Sequence, residues 1–223
     1  MSLPIVYLGP SLPVEEAERL LEADYRPPVK RGDLPHEFDG LIVMIDGEFG
    51  QSLSVSPNEI LRLLDQGTRV IGASSMGALR AAELHPYGML GCGWIFDAYL
   101  SGKLIADDEV AVTYSPLDHS ALTIPLVNVR VWLERLESSG GIDGPTARQL
   151  LARARRIFYA DRTEEHLLSQ WEAAIGSNKL QRILLATGGQ ITDIKAEDAR
   201  CALALADQVT TAHAKERMNG VRH

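Results

Sequence analysis

The segment Val70–Leu84, which reads VIGASSMGALRAAEL, constrains the fold of this 223-residue chain more than any other stretch. Its apolar start is typical of a buried strand, and the alanine-rich part after Gly77 has a high helix propensity. Two small residues, Gly72 and Ala73, and the serine pair Ser74–Ser75 lie between these parts. The segment therefore predicts a strand, a tight turn and a helix, with both serines at the turn.

A serine at such a turn lies beside backbone N–H groups that have no partner within the helix. This geometry suits an anion or a developing oxyanion. Serine is also a frequent helix N-cap, so a purely structural role for Ser75 stays open. The small residues on both sides of the serine pair favour the close approach of a ligand or of another backbone, which a cap does not require.

Apolar runs and helical patterns alternate on the N-terminal side of this segment. Leu3–Leu8 and Leu41–Ile45 are predicted strands, Val14–Leu21 and Asn58–Gln66 are predicted helices, and Arg69–Ala73 is the strand before the serines. This alternation predicts a parallel α/β sheet with right-handed crossovers. Because ligands collect at the carboxyl ends of such strands, we expect three loops to meet on one edge. These loops are Gly9–Ser11, Asp46–Glu48 and Ser74–Ser75.

The chain changes character after about residue 120, so we expect an α/β domain over residues 1–120 and an α-helical region over residues 121–223. Before this boundary, Trp94–Leu100 is a predicted helix and Val110–Tyr114 a predicted strand, and Asp107–Glu109 is either a solvated loop or a group that orients a cation or a base. After it, Asp143 and Thr163 are predicted N-caps. The predicted helices are Leu126–Leu136, Pro145–Phe158, Glu164–Ile175, Lys179–Ala186 and Ala196–Lys215.

Arginines cluster in the helical region, and they form either a solvated face or a docking surface for an acidic partner. They are Arg148, Arg153, Arg155, Arg156 and Arg162. The net charge of −8 argues against a nucleic-acid partner. The two cysteines form no metal-binding or disulfide pattern, so we expect a reducing cytosol and neither a metal nor a cofactor. Without a signal peptide or an apolar run of membrane-spanning length, we expect a cytoplasmic protein and no membrane partner.

The motif AxxSMGA at Ala73–Ala78 resembles the nucleophile turn of Clp-type serine peptidases. This resemblance implies that Ser75 is a nucleophile and that the Met76 N–H forms part of an oxyanion hole. The segment Ile45–Gly50 lies where those peptidases carry a Gly-rich oxyanion loop, which implies a second donor near Gly47. The three-layer arrangement is then either Clp/crotonase-like or flavodoxin-like.

A longer resemblance, to the TfuA family, extends over roughly residues 5–115. Five strings carry it in order: YLGPSL, PPVKRGDL, IDGEF, GASSMGALRAAEL and GMLGCGWIFDAYLSGKLIADDEVAV. Members of this family are partners of YcaO enzymes, which make backbone thioamides in RiPP-type peptides. The resemblance implies a YcaO-type enzyme as partner and a sulfur-carrier protein with a C-terminal Gly-Gly thiocarboxylate as sulfur donor. Contact with the precursor peptide is left open.

These observations predict a (thio)acyl hydrolase in which Ser75 attacks the thiocarboxylate, hydrosulfide leaves, and water clears the acyl-enzyme. Spacing places neither His85 nor His119 as the base, so Lys30 is the preferred base, because a partly buried lysine can lose its proton near neutral pH. The remaining predicted site residues bind substrate: Ser74, Arg31, Asp46, Glu48, Gly77 and Arg80. Two alternatives stay open: a non-catalytic adaptor that recruits the peptide or the carrier to the YcaO enzyme, and a Clp-like serine peptidase.

Overall fold

The computed structural model describes residues 2–50 and 54–220, with the side chains of residues 213–220 left out. The chain forms two compact units, Met1–Ile105 together with Lys195–His223, and Ala106–Ile194. The first unit contains the sheet, and the C-terminal helix belongs to it. The second unit is helical.

The sheet of the first unit has five strands in the order β2-β1-β3-β4-β5, and every neighbouring pair is parallel. The strands are β1 (Ile5–Tyr7), β2 (Asp24–Arg26), β3 (Leu41–Met44), β4 (Arg69–Gly72) and β5 (Leu90–Gly91). The predicted parallel α/β fold is therefore confirmed, and the strand order is that of flavodoxin-like sheets. The sequence pattern did not predict β2, because this edge strand is short, polar and partly exposed.

Four helices of the first unit lie between or after these strands. They are α1 (Val14–Ala17), α2 (Pro57–Asp65), α3 (Met76–Leu84) and α4 (Trp94–Leu100). A capping box starts α2: the Ser56 side chain accepts a hydrogen bond from the Glu59 N–H, and the Glu59 carboxylate accepts one from the Ser56 N–H. The predicted bounds of α4 are confirmed without change.

The second unit contains four helices, α5 (Leu126–Ser138), α6 (Gly144–Arg156), α7 (Glu164–Ile175) and α8 (Ser177–Ala186), and α9 (Ile194–Gly220) follows them. Trp132 and Trp171 stack in its core with ring centroids 5.4 Å apart. Asp143 accepts a hydrogen bond from the Thr146 N–H, and Thr163 accepts one from the His166 N–H. Both predicted N-caps are confirmed. None of the helices among the described residues is long and apolar enough to cross a membrane.

Three predictions for the middle of the chain are corrected. Residues 110–114 form no strand, and Tyr114 makes only an isolated bridge to Ala121, because the buried Val110 and Ala111 have no strand to pair with. The acidic run Asp107–Glu109 is a short 3-10 helix whose Glu109 is buried against Arg130 rather than solvated. Arg162 does not belong to a surface cluster, since its buried guanidinium donates to backbone carbonyls. Its acceptors are Ile124, Ala154 and Ile157.

The sheet packs helices on both of its faces. Side chains of β1, β3 and β4 that share one face form a core with α1 and with the alanine-rich face of α9. On the other face, α3 lies against β3 and β4 at very short range. A Cβ at Gly77 would overlap the Met44 carbonyl oxygen, and one at Gly72 would overlap the Gly77 carbonyl oxygen. These two glycines therefore let the helix that carries the serine turn start directly on the sheet.

Candidate functional site

The loops after β1, β3 and β4 meet at the carboxyl edge of the sheet, as the parallel alternation predicts. Asp46 Oδ2 accepts hydrogen bonds from the N–H groups of Gly9 at 2.9 Å and of Ser11 at 3.0 Å. Ser11 Oγ donates to Asp46 Oδ1 at 2.6 Å, and Ser74 Oγ donates to Ser11 Oγ at 2.8 Å. The three loops thus share one continuous set of hydrogen bonds, the Ser74–Ser11–Asp46 chain.

A buried lysine that the sequence reasoning missed completes this chain. Lys195 Nζ lies 3.8 Å from Asp46 Oδ1, and the two side chains are only 4% and 2% exposed. Lys195 stands in the first turn of α9, which places it in the compact unit of the sheet. The signal in the sequence was its spacing: Lys195 precedes the buried Ala199 by four residues, so it continues the apolar face of the helix.

The backbone at the turn is strained at Ser74. This residue has φ +66°, in the left-handed region that residues with a side chain rarely adopt. Such a conformation costs about 1–2 kcal/mol and persists only where the surroundings hold it. Ser74 is fully buried, and its hydrogen bond to Ser11 is one of the contacts that hold it. Strain of this kind often marks a functional turn.

Ser75 starts α3 but does not cap it. Its side chain accepts no hydrogen bond from the first turn, so the N-cap alternative is not observed. Among the residues that the structure describes, neither the Ser75 hydroxyl nor the Met76 N–H has a hydrogen-bond partner. Ser75 is 2% exposed. The turn therefore holds an uncommitted hydroxyl and an uncommitted N–H next to each other.

The loop after β3 lies directly against this helix start. A Cβ at Gly47 would come within 2.9 Å of the Met76 Cβ and 3.0 Å of the Val29 carbonyl oxygen, so only glycine fits there. The Glu48 N–H donates to the same Val29 oxygen at 2.9 Å, which fixes the loop against the preceding segment. The two backbone segments that were predicted to supply oxyanion donors, around Gly47 and Met76, are thus neighbours.

The other predicted site residues lie in less enclosed positions. Lys30 and Arg31 are exposed, and the Lys30 N–H donates to the Asp33 carboxylate at 3.1 Å. The exposure of Lys30 does not provide the burial on which the lysine-base hypothesis depends, and the roles of both residues stay predictions. The Arg80 guanidinium donates to the Val55 carbonyl oxygen at 3.0 Å and pairs with Glu83 at 2.6 Å.

Three further predicted residues can be placed. The Gly77 N–H donates to the Ile45 carbonyl oxygen at 3.3 Å, so Gly77 packs the start of α3 closely against the end of β3. Glu48 is half-buried. His85 is exposed at the end of α3 opposite to Ser75 and contacts Phe96, with ring centroids 5.8 Å apart.

Asp198 ties α9 to the start of α4, one turn after Lys195. Its carboxylate accepts hydrogen bonds from the Trp94 N–H at 2.9 Å and from the Ile95 N–H at 2.7 Å. Burial raises the pKa of Asp198 to about 6, although the two N–H groups favour the charged form. The adjacent Cys92 is a thiol whose pKa is raised by burial and by the neighbouring Cys201, so it is protonated at neutral pH. Among the side chains that the structure describes, in residues 2–50 and 54–212, no cluster of His, Cys, Asp and Glu is arranged to hold a metal ion.

Fold and site together define an α/β protein that presents a serine turn at the carboxyl edge of a parallel sheet. The family profile described as TfuA-like protein matches residues 46–163, which is more than half of the chain. The chain belongs to the TfuA-like family, as the resemblance to that family predicted. No curated protein matches it. Family membership connects the chain in general terms with the peptide thioamidation pathway.

Proposed function

We propose that this protein works with a YcaO-type enzyme in peptide backbone thioamidation and hydrolyses the C-terminal thiocarboxylate of a sulfur-carrier protein to deliver sulfide. Ser75 is the nucleophile. The observation that carries the proposal is the serine turn itself: among the described residues, the Ser75 hydroxyl has no hydrogen-bond partner, and the Met76 N–H beside it has none either. A capping serine would have accepted a hydrogen bond from the first turn of α3, and the Ser75 side chain accepts none.

The chemistry is an acyl transfer in two steps. Ser75 Oγ attacks the carbonyl carbon, and the developing oxyanion accepts hydrogen bonds from the Met76 N–H and from backbone near Gly47. The carbon–sulfur bond then breaks, and the hydroxyl proton of Ser75 leaves on sulfur as hydrosulfide. Water hydrolyses the resulting ester, releases the carrier as a carboxylate together with a proton, and regenerates Ser75.

A thiocarboxylate is already negative, so attack on it requires positive potential nearby. The N-terminus of α3 supplies part of this potential. Lys30 and Arg31 remain the proposed cationic side chains, with Arg31 as a clamp for the carrier tail. The exposed Lys30 lacks the burial that a lysine base requires, so its proposed contribution is its positive charge. Glu48, Gly77 and Arg80 remain proposed binding residues, through the shape and charge of the same edge. Ser74 and Asp46 are buried and hydrogen-bonded within the Ser74–Ser11–Asp46 chain, so their proposed contribution is to hold the turn.

The carrier tail must reach a serine that is nearly buried. A Gly-Gly tail has no side chains, and the turn is built of small residues on both sides, Gly72–Ala73 and Gly77–Ala78. The proposal requires a narrow opening to Ser75, which is 2% exposed, and such an opening admits this tail and rejects bulkier ones. The proposal therefore predicts that a carrier ending in Ala-Ala thiocarboxylate is a poor substrate.

Sulfide release from a purified thiocarboxylated carrier tests the proposal. We expect Ser75→Ala to abolish release, because no other group replaces the reacting oxygen. Ser101→Ala is the matched control, since Ser101 is an exposed serine at the end of α4 and its hydroxyl bonds only the Ala98 carbonyl. Wild-type release by the Ser75→Ala protein, with its fold intact by circular dichroism, would dismiss the proposal.

A non-catalytic adaptor is the second candidate, and one observation favours it. The second unit has a cleft of about 320 Å³ lined by Arg153 and Arg156 beside the exposed Phe158. Neither guanidinium has a hydrogen bond or an ion pair with the described residues. An adaptor that binds an acidic partner here predicts that Arg153→Gln with Arg156→Gln abolishes complex formation, whereas Ser75→Ala leaves thioamidation intact.

A further inference from the structure

The Ser74–Ser11–Asp46 chain and Lys195 join four distant parts of the sequence in one buried polar group. The four side chains come from the loops after β1, β3 and β4 and from the first turn of α9, and none of the four residues is more than 3% exposed. The Asp46 carboxylate accepts three hydrogen bonds and also faces an ammonium group. The stability of a core does not require a buried ion pair, because replacing such a pair with apolar residues of similar volume often leaves the protein equally stable or more stable.

The chain ends at the strained residue of the serine turn. Ser74 Oγ donates to Ser11 Oγ, which in turn donates to Asp46, so the direction of both hydroxyls is fixed. Ser75 follows immediately with φ −120° and ψ −122°, and its N–H donates to the Ala73 carbonyl oxygen at 2.8 Å. The direction of the Ser75 side chain therefore depends on the backbone conformation of Ser74.

We propose that Lys195, Asp46 and Ser11 are positioning residues of the serine turn. The ion pair fixes the Asp46 carboxylate, the carboxylate fixes Ser11, and Ser11 holds Ser74 in the left-handed conformation that aims the Ser75 hydroxyl at its substrate. This inference rests on the proposed function, because it requires Ser75 to react. Lys195 then serves the site as the counter-charge of Asp46 and does not touch the substrate.

Two substitutions at Ser74 separate positioning from chemistry. Both Ser74→Ala and Ser74→Gly remove the hydroxyl, but only glycine adopts a positive φ without steric cost. We expect kcat for sulfide release to fall in both variants and to be about five- to thirtyfold higher in Ser74→Gly than in Ser74→Ala, with KM for the carrier unchanged. Equal kcat values in the two variants would overturn the inference, because activity would then depend on the Ser74 hydroxyl and not on the backbone conformation of residue 74.

A second set of variants addresses the ion pair. Lys195→Met is expected to lower kcat at least about tenfold. The matched control is Arg200→Met on the same helix, whose exposed ion pair with Glu16 has an N–O distance of 2.6 Å, and its kcat is expected to equal that of the wild type. The double variant Lys195→Met with Asp46→Asn leaves no unpaired carboxylate, so its melting temperature is expected to recover towards the wild-type value.

The kcat of the double variant decides between positioning and simple stabilisation. One amide oxygen cannot replace two carboxylate oxygens that accept from the Gly9 N–H, the Ser11 N–H and the Ser11 hydroxyl at once. We therefore expect kcat to stay low while stability recovers. Recovery of both together would mean that the ion pair only stabilises the fold. If Ser75→Ala retains sulfide release, the proposed function fails. If Ser75→Ala is inactive but the Ser74, Lys195 and Asp46 variants do not show the expected kcat values, only the positioning role fails.

Discussion

The carboxyl group of Asp198 makes the stability of this protein depend on pH, and Asp198→Asn removes that dependence. The pKa of Asp198 is about 6 in the folded chain, whereas the ordinary value for an aspartate is 3.8. Between these values the folded protein retains a proton that the unfolded chain has released. The free energy of unfolding therefore falls as the pH rises through this window.

The size of the effect follows from the pKa difference of about two units. Each unit corresponds to about 1.4 kcal/mol, and the unfolded carboxyl is already more than half ionised at pH 4. Burying the charged carboxylate therefore costs about 2 kcal/mol more at pH 7 than at pH 4. The asparagine is neutral throughout and gives up one of the two hydrogen bonds from α4, which costs about 1 kcal/mol at every pH. The difference in stability between Asp198→Asn and the wild type should therefore shift by about 2 kcal/mol in favour of the variant from pH 4 to pH 7.

Urea unfolding at half-unit steps from pH 4 to pH 7 measures this shift, because other titrating groups cancel in the difference between the two proteins. Asp207→Asn, on the exposed side of the same helix, controls for the loss of one negative charge. A difference between Asp198→Asn and the wild type that stays constant across this range would refute the reasoning. It would mean that the carboxylate is better solvated than its position beside the start of α4 indicates.

Two predictions concern the elements that support the site. In an ordinary helix, replacing glycine by alanine stabilises the protein by about 1 kcal/mol. Gly77→Ala should instead destabilise it by about 3 kcal/mol, because the added Cβ overlaps the Met44 carbonyl oxygen. A raised urea midpoint for this variant would contradict the close packing. Ser56→Ala removes the capping box of α2 and should cost about 1 kcal/mol, measured in the same way. An unchanged midpoint would show that the cap contributes nothing.

The sequence predicted well those elements whose hydrophobic pattern matches the burial that they have in the folded chain. The run Leu41–Ile45 reads as a strand buried on both faces, and β3 is such a strand. The serine turn follows from Gly72, the two serines and a strong helix former after them. The convergence of three loops follows from the parallel alternation alone, because parallel strands bring their carboxyl ends to one edge.

The parts that could not be predicted depend on contacts distant in sequence. Helical spacing places Lys195 on the apolar face of α9, but only the folded chain shows that Lys195 pairs with Asp46 and that Asp198 binds the start of α4. The same holds for Arg162, which is buried because it satisfies backbone carbonyls from three segments. Lys30 was predicted as the base because a partly buried lysine can lose its proton near neutral pH, and only the folded chain shows that Lys30 is exposed.

Capture of the acyl-enzyme shows whether Ser75 forms a covalent bond to the carrier tail. The thiocarboxylated carrier is mixed with the protein, quenched in acid within seconds, and examined by intact mass and by peptide mapping of residues 70–80, VIGASSMGALR. The account predicts a covalent adduct of the carrier tail on this peptide in the wild type and in Ser101→Ala, and none in Ser75→Ala. Rapid sulfide release without any adduct, or an equal adduct in Ser75→Ala, would contradict it.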